Sequence, residues 1–100
     1  MNNVQGNRVD EFNAETMVVP GNFVWYGPEF PEKLPERLSF VCPCGCGAIG
    51  GVAVGGDPSK HPIWQWNDDL DKPTVEPSIR FIGGCEWHGY LTDGIFVTCQ

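Results

Sequence analysis

Apolar positions in this chain fall in short runs that alternate with polar ones or are cut by Gly and Pro, a pattern of strands rather than helices. Phe23-Val24-Trp25-Tyr26, bracketed by Gly21 and Pro28, predicts a first strand. The stretch from Gly27 to Glu36 carries Pro28, Pro31 and Pro35, each without an N–H, and predicts an extended loop. Arg37 to Val41 alternates and predicts a strand ending at Cys42. Ala48 to Val54 returns as a glycine-rich apolar run that pairs with it if the cysteine segment forms the bend. Pro62 to Trp66 alternates too, with Ile63 and Gln65 on one face and Trp64 and Trp66 on the other. Asn67 to Asp71 reads as an acidic turn, Thr74 to Phe81 as an extended segment, and Gly83-Gly84 as a hinge into the last unit.

That last unit has the most definite local geometry. Asp93-Gly94 lies between Tyr90-Leu91-Thr92 and Ile95-Phe96-Val97, which predicts a hairpin with a two-residue turn. Such a turn fixes the register, so that Thr92 faces Ile95, Tyr90 faces Val97 and His88 faces Cys99. Opposed residues share a face with Cβ atoms about 4.5–5.5 Å apart, close enough for His88 and Cys99 to meet one metal ion.

Residues 1–17 are polar and mixed. A weak helical pattern runs from Val9 to Met17 behind Asp10 as its cap, so a flexible or partly helical amino-terminal segment is expected ahead of a single domain over residues 18–100. One hundred residues sustain one core. Thirteen Gly, nine Pro and a wealth of aromatics make the fold class mainly β, a small antiparallel domain. At least two of the four tryptophans must supply buried area in a chain with so few Leu and Ile. No apolar run approaches the roughly 20 residues of a bilayer span, and no signal-peptide pattern opens the chain, so a cytoplasmic protein without a membrane partner is expected. The formal charge of −7, with six basic residues scattered singly, argues against direct nucleic-acid binding.

Five cysteines cannot all pair within the chain, and a reducing compartment would keep them as thiols ready for a metal. Cys42-Pro43-Cys44-Gly45-Cys46-Gly47 packs three thiols into five residues, with glycines that free the backbone to turn around an ion. Cys85 and His88 follow about forty residues later, and Cys99 lies beyond the hairpin turn. Cys42, Cys44, Cys46, Cys85, His88 and Cys99 are therefore six candidates for the four tetrahedral positions of one Zn²⁺. His61 stands apart from any cysteine and reads as a loop residue, and Asn67 to Asp71 lacks the Gly and distal Glu of a calcium loop.

No G-x-S-x-G, P-loop or dinucleotide fingerprint occurs, so the usual enzyme signatures are absent. Three readings remain. The first is a structural-zinc module that binds another protein. The second is a metal-dependent hydrolase or conjugation-associated enzyme with Glu86 beside an open metal position. The third is an acidic mimic of nucleic acid.

Cys42-Pro43-Cys44-Gly45-Cys46-Gly47, Trp64-x-Trp66-Asn67, Pro73-Thr74-x-x-Pro77-Ser78-Ile79, Cys85-x-Trp87-His88-Gly89 and Asp93-Gly94 together resemble an uncharacterised family of small phage and bacterial Cys/His-rich proteins. The resemblance covers about Leu38 to Cys99. It implies a compact β domain with a zinc site and metal-type positions at Cys42, Cys44, Cys46, Cys85 and His88, Cys99 being less regular; with the cysteine knuckle and the hairpin read above, the fold expected is a small antiparallel β domain resembling a zinc ribbon. It also implies phage or bacterial gene clusters, some of them resembling ubiquitin-type conjugation systems, and a host or bacterial protein as partner. No activity and no oligomeric state come with it.

Overall fold

Residues 3–82 and 84–99 are described by the computed structural model; the expected hinge at Gly83-Gly84 therefore lies partly outside the described residues. Among them, nine strands follow in chain order: β1 (Asn3–Gln5), β2 (Asn7–Arg8), β3 (Asn22–Tyr26), β4 (Arg37–Val41), β5 (Ile49–Ala53), β6 (Gln65–Trp66), β7 (Val75–Arg80), β8 (His88–Thr92) and β9 (Ile95–Thr98). They form two sheets, one ordered β2-β3-β4-β5 and the other β1-β9-β8-β7-β6. Every pairing is antiparallel except β2 with β3. No helix of the described residues is long and apolar enough to cross a membrane.

The alternation read from the sequence dictates which side chains meet. Phe23 and Trp25 of β3, Leu38 and Phe40 of β4 and Val52 of β5 point inward, opposite Val75 and Ile79 of β7, Leu91 of β8 and Phe96 of β9. Phe40 sits where the sheets meet, its ring centroid 4.9 Å from that of Phe96 and 6.1 Å from that of Trp87. Offset and edge contacts of this kind let aromatics fill a core that is poor in aliphatics. Trp25 and Trp87 are buried, while Trp64 and Trp66 pack on the core from its margin. Each buried indole N–H finds an acceptor, Trp25 in the Leu70 carbonyl at 2.9 Å and Trp87 in the Thr98 hydroxyl at 3.1 Å.

Two expectations for the amino-terminal residues change. In place of a helix from Val9 to Met17 there is one turn of 3-10 helix at Thr16–Val18, because the Asn13 side chain accepts the backbone N–H groups of Glu15 (2.8 Å) and Thr16 (3.0 Å) and so competes with a helical ladder. Residues 3–8, expected in a flexible or partly helical segment, instead extend both sheets. β1 runs along β9, β2 along β3, and Val4 packs against the core between them. Gly6 makes the crossing, its N–H donating to the Gly94 carbonyl at 2.8 Å, where a Cβ would meet that carbonyl and the rings of Phe23 and Phe96.

The carboxy-terminal hairpin has the expected register, Thr92 opposite Ile95 and Tyr90 opposite Val97, around a turn in which Asp93 (φ 51) and Gly94 (φ 76) are both left-handed. Gly89 lies under the Trp87 indole, and a Cβ there would also strike the Val97 carbonyl, which belongs to the ladder and cannot move aside. Gly89→Ala is expected to cost about 1–3 kcal/mol by overpacking, read as a lower urea midpoint at unchanged slope.

Candidate metal centre and Ser–His pair

The cysteine-rich segment is the corner at which β4 turns into β5, as the alternation predicts. Pairing reaches one step beyond the ladder, with Cys42 N–H donating to the Ala48 carbonyl at 2.8 Å, and a tight turn follows in which Gly45 N–H donates to the Cys42 carbonyl at 3.2 Å. Gly45 (φ +89) and Gly47 (φ +87) take left-handed conformations that ordinary residues resist, and these let three thiols converge within one turn. The loop ahead of β8 supplies the fourth. The sulfur atoms of Cys42, Cys44, Cys46 and Cys85 all lie within 4.8 Å of one another. Cys42 Sγ is 3.2 Å from that of Cys44 and 3.5 Å from that of Cys85.

Four thiolates around a tetrahedral zinc, with Zn–S about 2.3 Å, place their sulfurs about 3.8 Å apart, so the cluster can close on one ion. Cys42 is fully buried and the other three are exposed. Burial pushes the Cys42 thiol well above the ordinary thiol range, whereas the Ala48 N–H, with help from neighbouring thiols, lowers Cys46 to about 7. A divalent cation reverses the burial effect by stabilising the thiolate directly, and binding then releases protons. Metal affinity, measured by competition with a chromophoric chelator, is therefore expected to climb by more than about tenfold per pH unit between pH 6 and 8. A flat profile would rule the thiols out as ligands.

Of the six residues singled out from sequence, the structure gathers these four and leaves out the other two. The register that sets His88 opposite Cys99 is present, with Cys99 N–H donating to the His88 carbonyl at 2.8 Å. Neither residue belongs to the sulfur cluster. Glu86 (φ 52) turns the chain between Cys85 and β8, and Trp87 takes the inward position, so His88 emerges on the outer face of the five-stranded sheet. There its ring Nε2 is 2.9 Å from the hydroxyl of Ser78.

Ser78 was not among the residues that composition and spacing had marked. It stands on β7, where the ladder with β8 is irregular between Val75 and Ile79; such irregularities re-aim side chains, often beside functional sites. The indole N–H of Trp64 holds the Ser78 carbonyl at 3.3 Å. Ser78 and His88 are both half-buried. A hydroxyl within 2.6–3.2 Å of an imidazole nitrogen is the arrangement of a nucleophile and its general base. Among the described residues no carboxylate hydrogen-bonds to the His88 ring.

The small two-sheet β domain thus carries a four-thiol corner and, apart from it, a Ser–His pair on the five-stranded sheet. A family model described as bacterial ubiquitination-like system serine protease (BubE) matches residues 9–99, and the chain belongs to that family. No curated protein and no solved structure matches it.

Proposed function

We propose that the protein is a serine protease of a bacterial ubiquitination-like system, with Ser78 as nucleophile and His88 as general base. The observation that carries this reading is the 2.9 Å contact between His88 Nε2 and Ser78 Oγ, both half-buried on the five-stranded sheet. With Nε2 unprotonated, the Ser78 hydroxyl donates to it. As Oγ attacks a peptide carbonyl carbon, His88 takes the hydroxyl proton and then returns it to the departing amine nitrogen, leaving an ester on Ser78. Water, deprotonated by the same nitrogen, hydrolyses that ester and restores the hydroxyl. The ladder irregularity at β7 and the Trp64 bond hold Ser78 for this attack.

The four cysteines would hold one Zn²⁺ in a closed, structural site. Bound metal supplies a clip between the β4–β5 corner and the loop that leads from Cys85 into β8, and so fixes the strand that carries His88. Family membership supports the protease reading over a purely structural module, and protein partners then enter as substrates. Incubating the chain with purified protein components of a bacterial ubiquitination-like system should give a discrete product by intact mass, absent with Ser78→Ala. No cleavage of any component would contradict the reading.

A further inference from the structure

On β7, Val75 and Ile79 are 1% and 3% exposed and face the core, whereas Glu76 and Arg80 are exposed and the half-buried Ser78 meets His88. Arg80 lies two residues beyond Ser78, about 7 Å along the strand, and is registered directly opposite His88. Toward Glu76, a groove of about 560 Å³ opens between β6, β7 and β8, lined among others by Ile63, Gln65, Pro77, Tyr90 and Thr92. Glu76 is the one charged side chain among its described lining residues. Toward Arg80, a second hollow of about 460 Å³ runs past Ile49, Ile82 and Cys85, and there Arg80 is the one Lys, Arg, Asp or Glu. Among the described residues neither Glu76 nor Arg80 has an ion-pair partner.

Ser78 thus lies between the Glu76 groove and the Arg80 hollow, each lined by polar and apolar groups together and each offering one of these charged side chains. We propose that Glu76 and Arg80 determine substrate specificity, selecting a peptide with a basic side chain on the Glu76 side of the scissile bond and an acidic one on the Arg80 side. The inference rests on Ser78 being the nucleophile. A peptide settling against Ile63 and Tyr90 on one side and Ile49 and Ile82 on the other displaces water there, which strengthens both charge contacts, and the wrong sign at either place is repelled. A peptide lying in the opposite direction would bring each of its charges against its like.

The test digests a proteome-derived peptide library with the full chain and reads the cleavage sites by mass spectrometry. Wild type should enrich Lys or Arg on one side of the cut and Asp or Glu on the other. Arg80→Glu should turn the acidic preference to a basic one by several-fold in site frequency, Glu76→Lys should do the converse on the other side, and Lys33→Glu, in the Pro-rich loop, should shift neither. Melting curves check that each variant folds. Cleavage indifferent to charge, preferences unmoved by both substitutions, or reaction with a fluorophosphonate without library cleavage would each overturn the inference and leave Ser78 as nucleophile. Failure of wild type both to react with the fluorophosphonate and to cleave would remove the protease reading and the inference with it.

Discussion

Ser78→Ala is expected to lower kcat by about 10⁴-fold or more while the fold stays intact, because no neighbouring group can take over the covalent step. The side chain is half-buried and, among the described residues, bonded through its hydroxyl to His88 alone, so its removal opens no core cavity and the melting temperature should hold. His88→Ala should cost less, about 10²–10⁴-fold, since Oγ can still attack once water accepts its proton. The double variant should be no worse than Ser78→Ala alone, since a base without its nucleophile has nothing to activate. Additive losses would mean that the two residues act separately and that their contact is structural. The measurement is steady-state cleavage of a protein component of the system, with far-UV dichroism to follow the fold.

Removing the metal should have the largest effect on stability. Domains of this size are held by about 5–15 kcal/mol, and structural zinc sites of small domains contribute about 10–16 kcal/mol, so a strong chelator should leave little folded protein. Cys42→Ser should be the most severe of the thiol variants. It takes away a ligand and also places a hydroxyl where a fully buried sulfur packs with Phe40, Trp87 and their neighbours. Cys44→Ser, Cys46→Ser and Cys85→Ser act at exposed positions and should lose metal with a smaller cost in packing. Cys99→Ser and His88→Ala should keep one metal per chain, in keeping with their positions outside the sulfur cluster. Elemental analysis and thermal melts before and after chelation read both quantities; loss of metal from Cys99→Ser would contradict this arrangement.

Much of this was legible in the residues because local rules governed it. Asp93-Gly94 dictates its own turn and with it the β8–β9 register, and the alternation from Arg37 to Val41 and from Ala48 to Val54 fixes a corner at the cysteines. Three of the four clustered thiols follow from that corner alone. His88 was legible as a chemical residue but not in its partner. The register of β8 and β9 rightly sets it opposite Cys99, yet what its ring meets depends on β7, and the irregularity between Val75 and Ile79 cannot be read from periodicity. Ser78 escaped for the same reason, as a lone serine after a proline outside any nucleophile motif. The signal that could have found it lay in Pro77-Ser78-Ile79, already part of the family resemblance, taken with His88 in the neighbouring Cys85-x-Trp87-His88-Gly89 motif. The amino terminus misled because polar composition conceals the two short pairings around Gly6.

Reaction with a fluorophosphonate, followed by peptide mapping of the adduct, tests the central claim most directly. A single adduct on Ser78, formed on folded, metal-loaded protein and strongly diminished in His88→Ala, is the predicted result. No adduct, or modification of Ser39 or Ser59 in place of Ser78, would contradict it.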